Sequence, residues 1–308
     1  MRQKKLITGI AIIILVFAGM YVVAKNMTFF QEEDDRKTVL TTFTVLADMT
    51  SEIAGDKINV VSLTKPGVEI HDYEPTPGDL VRASRADMIF ENGMGLELWT
   101  SKLYASIPNV PFVTISNGVD IIPIAEGEYE NKPNPHAWMS PKQALIYIEN
   151  IRRALTELEP EHAGYFFDRA EDYSLRLMSL DQRLSESLAE LPESQRYLVT
   201  CEGAFSYLTS DYGLQELYLW PINDETQGTP QQVARVIDEV KRNNIPAVFC
   251  ESTIESHIQD EVVRATGARF GGTLYVDSLS AADGPAPTYI RLLEHTVTTI
   301  VRGLLGIE

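Results

Sequence analysis

Short apolar, β-rich runs recur at 39–45, 58–63, 87–91 and 111–115, with helix-like stretches between them. A second series follows at 196–200, 215–220, 245–250 and 270–275. Short strands alternating with helical segments are the pattern of βαβ units. The chain therefore predicts an α/β fold of two Rossmann-like lobes, each with a mostly parallel sheet. Thr76-Pro77, Ser140-Pro141 and Thr229-Pro230 each set a capping hydroxyl before a proline, whose missing N–H is harmless in a first helical turn. Gln232 adds a capping box to the last of these. Between the two series, Ala144, Ile148, Ile151, Leu155 and Leu158 recur at helical spacing up to Pro160. Tyr173, Leu177, Leu180, Leu184, Leu188 and Leu191 do the same up to Pro192. The second stripe predicts one long rigid helix over 166–191, joining an N-terminal lobe (38–165) to a C-terminal lobe (192–308). A stiff connector of this kind implies small hinge motions.

Residues 1–37 read differently. Arg2, Lys4 and Lys5 precede an apolar run from Leu6 to Ala24, and the acidic stretch "EEDDRK" follows. This is a signal peptide or, left uncut, an N-terminal anchor, with a solvated tether behind it. "FAGM" at 17–20 resembles the end of a bacterial lipoprotein signal, but Met20 stands where cysteine would be, so no lipid-anchor cysteine is expected. The protein is expected to be exported, in the periplasm or on the outer face of the cytoplasmic membrane, where disulfides are permitted. Over 308 residues, 44% hydrophobic and 23% charged content suit a folded core. A net charge of -18 argues against nucleic acid as a partner and is compatible with a cation.

In parallel sheets the working loops lie at the carboxyl ends of the strands. His71 follows the run at 58–63 in "TKPGVEIHDYEP", Glu202 follows 196–200 in "CEGAF", Glu251 follows 245–250, and Asp277 follows 270–275. His136 sits in "NKPNPHAWMSP", a segment that proline keeps from becoming a helix or a central strand. Two imidazoles with two or three carboxylates suit Mn²⁺, Fe²⁺ or Zn²⁺. A lone loop histidine is usually a surface residue; the rigid, proline-flanked settings of His71 and His136 set them apart. His162, His257 and His295 read as surface residues, Trp138 as packing under the His136 loop, and Gly271-Gly272 as a close backbone approach.

The cysteines, Cys201 and Cys250, each end a predicted strand and each precede a glutamate. If the two strands are neighbours, equivalent positions lie about 4.8 Å apart, close to what a disulfide requires. A bridge is expected, worth roughly 4 kcal/mol in the chain-entropy model; two buried free thiols are the alternative. Such a bridge would position Glu202. Glu251 itself is open to three readings: ligand, hydrogen-bond acceptor that orients an imidazole, or plain strand end. The acceptor role is the expectation.

"GVEIHDYEPTPGDL", "NPHAWMSP", "CEGAFSYL", "LWPINDETQGTPQQV" and "LYVDSLS", in that order over about 39–308, resemble the signatures of the cluster A-I (cluster 9) metal-binding proteins of ABC transporters, the manganese/iron-type subgroup above all. The resemblance implies two α/β lobes on one rigid helix. It also implies an ion held by His71, His136, Glu202 and Asp277, and a membrane permease as partner for what is expected to be a monomer. Zinc-type members commonly carry a His-rich loop before the second histidine and a histidine at the position of Glu202. Here 118–133 has no histidine and the position is a carboxylate, which favours Mn²⁺ as cargo over Fe²⁺ or Zn²⁺. The contrasting reading is a metallohydrolase with Glu251 or Glu74 as general base, which would need an open coordination position for water.

Overall fold

The first half of the chain builds one parallel sheet. In the computed structural model, which describes residues 35–223 and 228–307, β1 (Thr38–Thr41), β2 (Asn59–Ser62), β3 (Met88–Glu91) and β4 (Phe112–Thr114) are ordered β2-β1-β3-β4. Every pairing among them is parallel. The apolar run Leu6–Ala24 and the start of the acidic tether lie outside the described residues. Helices α1 (Thr44–Ala54), α2 (Pro77–Ser84) and α3 (Thr100–Ser106) connect the strands. The apolar run predicted as a strand over 39–45 ends early, at Thr41. Val45, Leu46, Met49 and Ile53 repeat at helical spacing and are buried, and that stripe starts α1 at Thr44.

Two helices follow, α4 (Pro141–Leu158) and α5 (Ala163–Ala189). Ser140 caps α4, its hydroxyl accepting from the Gln143 N–H at 3.1 Å. Helix α5 has 27 residues and is about 40 Å long. Phe166, Ala170, Tyr173, Leu177, Leu180, Leu184 and Leu188 form its buried stripe. The predicted strut is therefore present, beginning a little earlier than the leucines alone indicated.

The second half contains β5 (Tyr197–Glu202), α6 (Ser206–Tyr212), β6 (Gln215–Trp220), α7 (Pro230–Asn243), β7 (Ala247–Glu251), α8 (His257–Thr266), β8 (Arg269–Leu274) and α9 (Tyr289–Leu305). β5 pairs with β6 and β7 with β8, both in parallel. Among the described residues no backbone ladder joins the two pairs. The Cys201–Cys250 disulfide joins them, with Cα atoms 5.1 Å apart. Gly271 does permit the close approach expected of it: a Cβ there would come within 2.4 Å of the Phe249 ring.

One apolar cluster runs from β1 and α1 through α4 and α5 into α6 and α9. The lobes thus share a core. The start of α9 is also tied to the N-terminal lobe, the Tyr289 N–H donating to Asp48 Oδ2 at 2.8 Å. A packed core resists continuous deformation.

Candidate metal site

His71, His136, Glu202 and Asp277, 206 positions apart at the extremes, meet between the lobes. One donor atom from each lies within 4.8 Å of all the others. His71 Nε2 is 3.2 Å from His136 Nε2 and 3.4 Å from Glu202 Oε1. His136 Nε2 is 3.7 Å from Glu202 Oε1 and 3.5 Å from Asp277 Oδ1. An ion about 2.1 Å from each of four tetrahedral donors spaces them about 3.4 Å apart. The observed separations bracket that spacing.

Each donor owes its place to local chemistry. Glu202 ends β5, and Gly203 follows because a Cβ there would stand 2.9 Å from the Pro221 carbonyl oxygen and 3.0 Å from the Tyr218 ring. The disulfide sets β5 beside β7, so the Glu202 N–H donates to Glu251 Oε1 at 3.3 Å. Glu251 was expected to accept from an imidazole; it holds the backbone of Glu202 instead. Trp138 lies under the His136 ring, centroids 5.2 Å apart, and its indole N–H donates to the Val276 carbonyl at 3.1 Å. It thereby ties the His136 loop to the residue before Asp277.

The partner of the His136 imidazole is Asn134, which sequence reasoning missed. Asn134 Nδ2 donates to the Gly203 carbonyl at 2.7 Å, so its Oδ1 turns to His136, 3.1 Å from the backbone N and 2.8 Å from Nδ1. An amide oxygen only accepts, so the proton sits on Nδ1 and the Nε2 lone pair points into the site. The signal was legible: an Asn side chain readily reaches the N–H two residues on. Glu69 and Asn223 were missed as well. Glu69 Oε1 accepts from the N–H groups of Ile70 and His71 at 2.9 and 3.0 Å. The Asn223 N–H donates to Glu202 Oε1 at 2.8 Å.

Electrostatically the cluster is short of positive charge. Burial lowers His71 to about 4 and His136 to about 3, so both imidazoles are neutral, the form that binds metals. Burial raises Asp277 to about 6. Burial, with the nearby Asp277 carboxylate, raises Glu69 to about 8 and Glu202 well above the usual carboxylate range. Among the described residues, both Asp277 oxygens and Glu202 Oε2 are buried without a hydrogen-bond partner. An orphaned buried carboxylate is costly, and a divalent cation between the four donors would satisfy it.

The other candidates fall elsewhere. Glu74 and His257 are exposed, and His162 and His295 are half-buried. Cys201 and Cys250 are joined in the disulfide. Among the described residues no helix is long and apolar enough to cross a membrane.

Residues 39–303 match the family model described as "Zinc-uptake complex component A periplasmic". The chain is 54% identical over 265 residues to the iron-binding protein YfeA of Yersinia pestis, covering 86% of this chain and 85% of that one. It is 34% identical over 295 residues to the manganese-binding lipoprotein MntA of Halalkalibacterium halodurans, covering 96% of each. The Mn-bound periplasmic metal binding protein of Candidatus Liberibacter asiaticus superposes with a TM-score of 0.81 at 38% identity, over 87% of this chain and all of that one. With a shared α/β fold, a cleft lined by two imidazoles and two carboxylates, and sequence similarity across nearly its whole length, the chain belongs to the family of periplasmic metal-binding components of ABC transporters.

Proposed function

We propose that the protein captures one divalent first-row transition ion outside the cytoplasmic membrane, between His71, His136, Glu202 and Asp277, and passes it to a membrane permease. The observation that carries this reading is the convergence of four buried donors, with both Asp277 oxygens lacking a hydrogen-bond partner among the described residues. Two carboxylates neutralise a divalent charge, and buried donors on every side favour carriage over turnover. A hydrolase needs an open position and a base beside it. Glu251 Oε1 accepts from the Glu202 N–H, and Glu74 lies in solvent.

Manganese is the favoured cargo, because the spare carboxylate oxygens suit a hard ion able to exceed four ligands. Iron is the second reading, supported by the 54% identity to a protein named for iron binding. Zinc would bind tightly in the test tube whichever is carried, by the Irving–Williams order. We place the protein in the periplasm or at the outer face of the cytoplasmic membrane as a monomer. Met20 leaves it without the lipid-anchor cysteine that its lipoprotein-named relatives imply.

The test is a competition titration of chelator-stripped protein with Mn²⁺, Fe²⁺ and Zn²⁺, paired with metal analysis of protein from its native compartment. One ion per chain, lost in Asp277→Ala, is the expected result. No stoichiometric uptake, or uptake that survives Asp277→Ala, overturns the reading.

A further inference from the structure

Glu69 and Asn223 lie on opposite lobes and take no place among the four donors, yet they touch each other and the ligands on both sides. Asn223 follows β6. Its Oδ1 accepts from the Trp220 indole N–H at 2.9 Å, and its Nδ2 donates to Glu69 Oε2 at 3.0 Å. An indole N–H can only donate, so the orientation of the amide is fixed and the Glu69 oxygen facing it is an acceptor. The other Glu69 oxygen holds the His71 N–H, and the Asn223 N–H holds Glu202 Oε1. A continuous path therefore runs from the backbone of one histidine, through Glu69 and Asn223, to the carboxylate opposite it.

We propose that the Glu69–Asn223 contact is an inter-lobe latch that holds the His71 loop down on the bound ion and sets the rate of metal release. The proposal rests on the metal-site reading above. The loop itself favours this role. Residues 65–67 are exposed, and the loop is also tied to the C-terminal lobe by the Gly67 N–H to Ser278 Oγ bond, 2.7 Å, with Thr253 of that lobe beside the Glu69 carboxyl. Ile70, between Glu69 and His71, anchors the loop in the shared core, its carbonyl accepting from the Trp99 indole N–H at 2.8 Å. Undoing the Glu69–Asn223 contact loosens the hold on the His71 backbone and on Glu202 together, so that the two ligands can part. Glu69 and Asn223 are thus positioning residues that act through the ligands they hold.

A pair swap tests the latch against simple charge. Glu69→Gln keeps an oxygen for the two N–H groups but turns an NH₂ toward the NH₂ of Asn223. Asn223→Asp sets carboxylate against carboxylate. Combined, they restore one donor and one acceptor with polarity reversed and the same number of carboxyl groups. The full chain is loaded with Mn²⁺, and release into excess chelator is followed by stopped flow. Each single variant is expected to release about tenfold faster, with binding rates little changed, as befits loss of a buried hydrogen bond that leaves its partner unsatisfied. The double variant is expected to return to within about threefold of wild type.

If the charge of Glu69 alone mattered, Asn223→Asp would slow release, and that result overturns the latch. So do unchanged release in both single variants and a double variant whose effect is the product of the two. Should Asn223→Asp fail to fold, Asn223→Ala, which deletes the donor, takes its place with the same expected acceleration. Wild-type protein that takes up none of Mn²⁺, Fe²⁺ and Zn²⁺, or an Asp277→Ala variant that holds its ion as tightly, overturns the metal-site reading and the latch together. Binding that is lost in Asp277→Ala, with release unchanged in Glu69→Gln and Asn223→Asp, overturns the latch alone.

Discussion

The two histidine loops begin alike and end differently. Each histidine has an acceptor side chain two residues before it, Glu69 before His71 and Asn134 before His136, and each acceptor takes the histidine's backbone N–H. Asn134 goes on to hold the imidazole ring, whereas Glu69 turns away from its histidine to the far lobe. Residues 134–141 are buried throughout and tied on several sides. The Pro135 carbonyl accepts from Asn92 Nδ2 at 3.0 Å, Ser140 Oγ donates to Asp211 at 2.5 Å, and the Tyr207 hydroxyl donates to the Asn134 carbonyl at 2.9 Å. His136 has no exposed surface, while His71 is 9% exposed. One loop is a preorganised floor that loses little entropy when it meets an ion. The other is a lip. A carrier that must bind tightly and still release is served by that asymmetry better than by two rigid halves.

The floor is where substitution should cost the most. Trp138→Ala removes a fully buried ring that packs against Phe43 and His136 and is expected to cost roughly 3–5 kcal/mol of stability. Tyr73→Ala, a half-buried ring on the lip, should cost less. Urea unfolding of both variants checks this, and equal costs would erase the distinction. Next in size is Asn134→Ala, expected to weaken metal affinity by about ten- to a hundredfold because it frees the His136 tautomer. Asn134→Asp keeps the acceptor beside Nδ1 and loses the donors to the C-terminal lobe, so it should recover most of the affinity. Calorimetric titration of the pair separates ring orientation from inter-lobe contact.

In protonation the two loops should be indistinguishable. His71 and His136 are lowered to about 4 and about 3, so from pH 5 to 7 both are already neutral and release nothing. The carboxylates differ. Asp277 is raised to about 6 and Glu202 well above its usual range, chiefly by burial, so the ion-free site holds protons that an incoming cation must displace. A raised pKa means that protons compete with metal. Affinity therefore rises with pH, by about tenfold per unit for each proton displaced. Titrations at pH 7 in two buffers of different ionisation enthalpy should report release of about one proton. An affinity flat from pH 5 to 7 would assign the charge deficit elsewhere.

Much of the molecule could be read before any coordinates. Among the described residues, all eight strands lie within or beside the apolar runs, because a buried parallel strand is short, apolar and bounded by turns. The cysteine pair was legible because strand ends in a wound sheet have few neighbours, and the Cα separation of 5.1 Å agrees. The start of α1 was misread: a run of Thr, Phe and Val favours strand by composition, and only the burial stripe of 45–53 decides for helix. Glu251 was misassigned because strand position tells which end of the sheet a residue occupies and not which group it meets there. The Glu69–Asn223 pair lay out of reach. The two are 154 positions apart, joined only by how the lobes close, and neither stands at a position that spacing marks as special.

The smallest effect expected is also the sharpest probe of the lip. Ser278 adjoins Asp277, and its hydroxyl accepts from the Gly67 N–H, donates to the Leu279 carbonyl at 3.2 Å and lies 3.4 Å from Thr44 Oγ1. Ser278→Ala leaves the Gly67 N–H without this partner on an exposed stretch, where water can replace it. The net loss is about 1 kcal/mol or less, no more than about a fivefold change in any rate. If the His71 loop is the part that moves, that loss appears as faster Mn²⁺ release with the urea midpoint nearly unchanged, since the shared core is untouched. If the lobes instead separate as rigid bodies on α5, Ser278→Ala and Asn134→Asp each cut a contact between the same two bodies and should accelerate release alike. The ratio of their release rates, from one stopped-flow series, therefore decides whether the ion leaves past the lip or through a cleft that opens as a whole.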